Sequence, residues 1–165
     1  MDNGLTTPER IYLTLNLEPW TLNQIIMTQE EILFPRKITN QLLHFAQISP
    51  DFEVCGLIGS KNGLPTHCYP IKNAAEQPQQ RFLLDAEQQI SAMSTMRELG
   101  EDFFAIYHSH PTAPAIPSTH DLELAAYPDA LYLIISLNTK GILEMRGFKI
   151  KQKTALEIPL TLSED

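Results

Sequence analysis

The 165-residue chain carries twelve basic and twenty acidic side chains, a formal charge of −8, with 43% hydrophobic and 19% charged residues. That length suits one domain with one core, the composition implies a folded chain rather than a disordered one, and no apolar stretch reaches the about 18 to 20 residues of a membrane-spanning helix. An acidic chain without a Lys/Arg run repels phosphate backbones, which sets nucleic acid aside as a partner, and a start lacking a basic segment followed by an apolar one points to a cytoplasmic protein without membrane attachment.

The first 34 residues read as an N-terminal extension. Arg10 to Leu17 alternates apolar and polar positions as a strand does, while Trp20 to Met27 is only weakly periodic, so a hairpin or a leader is expected there. From Pro35 onward, Ile38, Leu42, Leu43, Phe45 and Ala46 recur at near-helical spacing until Ser49-Pro50, which predicts one amphipathic helix. Glu53 to Gly59 is a short apolar run leading to a Lys61-Asn62-Gly63 turn and then to Thr66 to Ile71, a β-hairpin with Glu53 at its start. Phe82 to Leu84 reads as a short strand. Asp85 caps a helix that carries Ile90, Met93, Met96 and Leu99 and ends at Gly100. Phe103 to His108 is a strand running into an ordered loop marked by Pro111, Pro114 and Pro117, and Ser118 to Tyr127 is a short helix stopped by Pro128. Leu131 to Leu137 has the continuous apolar character of a strand buried on both faces, and Gly141 to Ile150 is strand-like again. Helices interleaved with strands predict an α/β sandwich built on one mixed sheet.

The chemistry concentrates in His108-Ser109-His110-Pro111, followed after seven intervening residues by Ser118 and after two more by Asp121. Residues i and i+2 of a strand share a face, so His108 and His110 present two imidazoles side by side while Ser109 points away. Asp121 falls in the first turn of the next helix, and the seven-residue loop is long enough to return that turn to the strand end. Two nitrogens and one oxygen with one position open are the donor set of a catalytic zinc, whose fourth ligand is a water acidified to a pKa of about 7. Such a hydrolase also needs a carboxylate that is not a ligand, for which Glu53 is the candidate, and a donor at the developing oxyanion, for which Ser118 is the candidate.

Each residue also has a plain structural reading. An H-x-H pair alone is more often packing or surface than ligation. Ser118-Thr119-His120-Asp121 is equally an S-x-x-D capping box, a reading compatible with ligation because a capped turn is a rigid support. Glu53 taken alone is a solvated carboxylate at a strand end, and Asn73 is by default a turn residue. His44, His67 and His120 have no spacing logic. Cys55 and Cys68, with twelve residues between them, form no C-x-x-C pair and read as small buried apolar positions.

At these residues the sequence resembles the JAMM/MPN+ (Mov34/JAB) zinc metallopeptidases, whose signature is a distant Glu and H-x-H-x7-S-x2-D: here Glu53, in the E-x-x-G-L-I-G context, and HSHPTAPAIPSTHD from His108 to Asp121. Flanking segments agree as well, namely YPIKNAA (Tyr69 to Ala75), RFLLD (Arg81 to Asp85) and LYLIISL (Leu131 to Leu137), so the resemblance covers Pro35 to Ile158 and leaves the first 34 residues outside a catalytic domain at 35–160. The resemblance implies a cytidine-deaminase-like three-layer α/β sandwich with a mixed central sheet. It implies Zn2+ held by His108, His110 and Asp121, Glu53 as acid/base and Ser118 as oxyanion stabiliser. It further implies hydrolysis of the amide or isopeptide bond after the C-terminal tail of a ubiquitin-like protein. The short prokaryotic branch, which this chain looks most like, acts on sulfur-carrier proteins of ubiquitin fold, while another bacterial branch removes ubiquitin-like tags in antiphage operons. A non-catalytic scaffold on the same fold is the alternative from a different class, although no ligand of the signature is missing here.

Overall fold

The structure, a computed structural model, describes residues 31–163, so the strand expected at Arg10 to Leu17 and the segment Trp20 to Met27 lie outside the described residues. The first elements are strand β1 (Ile32–Pro35) and helix α1 (Arg36–Gln47). Ile38, Leu42 and Ala46 recur every fourth residue on α1 and are all buried, which gives the helix the single apolar face its periodicity implies. Strands β2 (Cys55–Lys61) and β3 (Leu64–Ile71) form the expected hairpin. Its turn is Asn62-Gly63 with φ of 52° and 77°, the left-handed pair that a two-residue hairpin loop requires and that these two residue types adopt most readily.

Helix α2 (Ala86–Glu98) starts where Asp85 accepts a hydrogen bond from the Gln88 amide. Strand β4 (Asp102–His110) follows, then helix α3 (Thr119–Leu124) and strands β5 (Leu131–Ser136), β6 (Glu144–Lys151), β7 (Thr154–Ile158) and β8 (Leu160–Ser163). Six strands form one mixed sheet in the order β3-β2-β4-β5-β6-β7, in which β4 and β5 are parallel and the other neighbours antiparallel.

Alternation along the strands sorts side chains into two cores. Ala105 and Tyr107 of β4 join Leu131, Leu133 and Ile135 of β5 beneath α1. Ile106 of β4 joins Tyr132 and Ile134 of β5 beneath Ala92 and Met96 of α2. This is the expected layered α/β sandwich, and the parity of β4 puts His108 and His110 on the α2 side. They stand at the carboxyl end of a strand whose parallel neighbour is reached by a crossover, where open α/β sheets leave a crevice.

Three expectations need correction. Phe82 to Leu84 is no strand; a single bridge links Asn73 to Leu84, because the Asn73 side chain rather than a second backbone takes up the Leu83 amide. The helix after Ser118 ends at Leu124 rather than at Tyr127, since Ala125 turns to extended backbone and the Tyr127 amide donates to the Tyr132 hydroxyl instead of to a helical carbonyl. Beyond Ile150 the chain adds β7 as the sheet edge and β8, which pairs in parallel with β1, neither of which the pattern predicts. None of the described helices is long and apolar enough to cross a membrane.

Candidate metal centre

His108 and His110 share one face of β4, and their Nε2 atoms lie 3.0 Å apart. Asp121 reaches them because α3 starts just ahead of it. Ser118 caps that helix, its hydroxyl accepting from the Asp121 amide at 3.1 Å while its own amide and hydroxyl donate to Asp121 Oδ2, each at 2.7 Å. The capping box therefore aims the carboxylate as well as starting the helix. Asp121 Oδ2 is 3.4 Å from each Nε2, and among the described residues these three form the group that could hold a metal ion, with ligand atoms within 4.8 Å of one another. Donors at about 2.0 to 2.1 Å from a tetrahedral ion stand about 3.3 Å apart. The three observed separations of 3.0 and twice 3.4 Å fit that spacing.

The surrounding loop completes the support. His110 Nδ1 donates to the Pro114 carbonyl at 2.7 Å; a carbonyl can only accept, so the proton sits on Nδ1 and the Nε2 lone pair faces the cluster. The loop itself is tied to β5 by the Ser136 hydroxyl, which donates to Ala113 O at 2.7 Å. Burial lowers both imidazoles: for His108 it prevails over the neighbouring Asp121 carboxylate, whereas for His110 that carboxylate and the Pro114 carbonyl outweigh it and the net shift is upward. Burial also raises the Asp121 carboxyl, but the two histidines and Ser118 more than reverse this and hold it well below the usual carboxylate range.

Glu53 lies two residues ahead of β2 rather than inside it. Cys55 pairs with His108 across β2 and β4, and the ladder extends through Ser109 N to Val54 O at 2.9 Å, so the same register brings Glu53 opposite His110. Its backbone is pinned on both sides, the amide donating to Pro78 O at 2.7 Å and the carbonyl accepting from Asn73 Nδ2 at 3.0 Å. The side chain is buried, and its Oε2 has no hydrogen-bond partner. Desolvation raises its pKa to about 7, His110 lowering it somewhat and Asp121 raising it further. A carboxyl half-protonated near neutrality, beside a cluster of electron-pair donors, is equipped to take and return a proton.

All five residues singled out from the sequence thus meet at one place, with Ser118 bound to Asp121 rather than pointing freely into the cleft. Two neighbours escape sequence reasoning. Phe82 lies against the His108 ring, and Asn73 holds four backbone groups instead of a simple turn. Neither has a local signal beyond its place in the segments RFLLD and YPIKNAA. Cys55 and Cys68 are free thiols that burial pushes up to about 12, Glu53 adding to the shift at Cys55.

Comparison with known proteins gives a consistent set of relatives. Residues 35–148 match the family of prokaryotic homologs of the JAB domain. The chain is 35% identical to a desampylase of Haloferax volcanii over 89 residues, 53% of this chain and 64% of that protein, so the alignment spans just under two thirds of that relative. It is 30% identical over 129 residues to a CysO-cysteine peptidase of Mycobacterium tuberculosis, covering 77% of this chain and 87% of the relative. A solution structure of a Desulfitobacterium hafniense protein has the same fold at a TM-score of 0.73 and 32% identity, covering 81% of this chain and 94% of that one.

Proposed function

This chain belongs to the family of prokaryotic JAB-domain homologs, and from that premise we propose that it is a zinc-dependent metallopeptidase hydrolysing the amide or isopeptide bond after the C-terminal tail of a ubiquitin-like protein of the sulfur-carrier type. The observation that carries the reading is the convergence of His108 Nε2, His110 Nε2 and Asp121 Oδ2 at tetrahedral spacing beside the unpartnered Glu53 Oε2. His108, His110 and Asp121 would hold the ion. When bound, it supplies Lewis acidity, polarising the scissile carbonyl and making water a nucleophile near neutral pH.

The chain's own groups do the rest. Glu53 takes a proton from the attacking water at its free oxygen and returns it to the leaving amine, work suited to a carboxyl whose pKa burial has brought to about 7. Ser118 is the oxyanion donor of this reading. Its single hydroxyl proton goes to Asp121 Oδ2 in the structure, so that role requires the hydroxyl to turn toward the substrate. The substrate groove is a cavity of about 260 Å³ lined by Glu53, Gln79, Gln80, His110, Thr112 and Ser118. A glycine-rich tail has no side chains to clash with such walls and brings its last carbonyl to the donors in extended form. The desampylase and the CysO-cysteine peptidase support a conjugate or carrier bond as the target.

The test pairs metal analysis with an assay. Purified protein should hold about one zinc per chain, and sulfur-carrier proteins extended beyond their terminal glycines should lose the extension, as read by intact mass. Zinc at a small fraction of one per chain, with no cleavage of any extended carrier, would overturn the reading in favour of a scaffold.

A further inference from the structure

The two histidines of the cluster are held in different ways. His110 has the usual support of a ligating imidazole, a hydrogen bond from Nδ1 to a carbonyl. His108 has none: its ring is 1% exposed and its Nδ1 has no hydrogen-bond partner. What it has is Phe82, whose ring lies 4.2 Å away centroid to centroid and within 19° of parallel. A flat ring at that distance leaves an imidazole free to slide in its plane but blocks rotation out of it, so the stack fixes the plane in which Nε2 can point.

Phe82 stays there because of Asn73. The Asn73 carboxamide donates to Glu53 O at 3.0 Å and to Arg81 O at 2.9 Å, and its oxygen accepts from the amides of Ala75 and Leu83, each at 3.0 Å. Both donors and both lone-pair directions of one side chain are therefore used. Two of the four bonds grip the residues on either side of Phe82, and a third grips the carbonyl of Glu53. One half-buried amide thereby connects the proposed proton carrier to the ring that backs a proposed ligand.

We propose that Phe82 is a positioning residue for His108, replacing by ring stacking the hydrogen-bond acceptor that Nδ1 lacks, and that Asn73 is the clamp that keeps it in place. This rests on the metal reading of the site. It departs from a hydrophobic-packing role because packing is satisfied by any apolar side chain of similar volume, whereas orientation requires a flat face.

Zinc alone is the probe. Metal-free wild type and the variants Phe82→Ala, Phe82→Leu, Phe82→Tyr and Asn73→Asp are titrated with zinc against a chromogenic chelator, and the thermal unfolding of each metal-free protein is recorded separately. Loss of a group that orients a metal ligand weakens metal affinity by about 10- to 100-fold. F82A and F82L should both fall by about tenfold or more, F82Y should stay near wild type, and N73D should weaken binding with its Nδ2 donors gone. Leucine restoring full affinity, or alanine binding zinc as tightly as wild type, would overturn the positioning role while leaving the metal reading intact. Absence of zinc binding by the wild-type protein would overturn both. Should F82A fail to fold, the contrast between F82L and F82Y decides alone.

Discussion

A buried glutamate stands near each end of β4, and the two are treated in opposite ways. Just before the strand begins, the Glu101 carboxylate accepts hydrogen bonds from the Thr66 hydroxyl at 2.7 Å, the Tyr69 hydroxyl at 2.6 Å and His67 Nδ1. It reaches these β3 groups by crossing β2 at Gly59, where a Cβ would come within 2.3 Å of Glu101 Oε2. Where the strand ends, Glu53 faces the histidine cluster with one oxygen unpartnered. Exposure does not separate them, at 7% for Glu101 and 5% for Glu53. Burial raises both carboxyls; at Glu101 the hydrogen bonds from Tyr69, Thr66 and His67 reverse the shift and leave it below the ordinary value, while at Glu53 burial prevails and the pKa rises to about 7. A buried charge supplied with donors ties the start of β4 to β3 across β2. One deprived of them is easier to protonate, because nothing offsets its loss of water.

The largest effect that can break this contrast is expected at Glu53. E53Q should lower hydrolysis of an extended carrier by about 100- to 10,000-fold while zinc content is retained, as measured by turnover alongside metal analysis. Unchanged turnover would remove Glu53 from the chemistry. Next comes the ion itself: saturating zinc at about 100 times its dissociation constant should stabilise the wild type by about 2.7 kcal/mol in thermal unfolding, and H110A should lose most of that gain.

At the other end of the strand the prediction is structural. E101Q keeps the volume but turns one acceptor into a donor facing donors, which should cost about 1 to 3 kcal/mol of stability by denaturant unfolding. Hydrolysis per folded molecule should be unaffected, because the residue lies at the far end of β4. This contribution depends on pH. With a folded pKa below the ordinary 4.5, the unfolded chain takes up the proton first as acid is added, so the stabilisation is fully present above pH 4.5 and is lost as the pH falls through the lower folded value. The gap between wild type and E101Q should therefore narrow in acid. The smallest effect concerns the two thiols that have no proposed role, buried Cys55 and half-buried Cys68. Cys55 and Cys68, with thiols pushed up to about 12, should resist alkylation at pH 8 in the folded protein and react once it is unfolded, as read by mass.

Legibility followed the range of the interactions. The helix at Arg36–Gln47 rests on periodicity and the hairpin at Asn62-Gly63 on turn residues, while the helix at Ala86–Glu98 rests on its capping Asp, since Ile90 and Leu99 of its apolar positions are exposed and it buries Ala92 and Met96 instead. The hairpin from β6 to β7 has no local signal, because its turn, Gln152-Lys153, takes φ of 50° and 60° without a glycine or asparagine to announce it. The pairing of β1 with β8 joins Ile32 to Leu160, a partnership that no local pattern encodes. Phe82 to Leu84 has strand composition, yet the Asn73 side chain captures the Leu83 amide before a strand can.

What the sequence determined on its own is the donor set. Two histidines at i and i+2 share a strand face, and a capping Ser three residues before Asp121 fixes that carboxylate at a helix start, because both arrangements are matters of local backbone geometry. Only the tertiary structure decided what those donors face. The register of β2 on β4 brings Glu53 opposite His110, and a loop held by one asparagine lays Phe82 on His108. Both depend on chain segments distant in sequence, whose meeting is set by strand pairing and by the hydrogen bonds one side chain makes to several backbone groups.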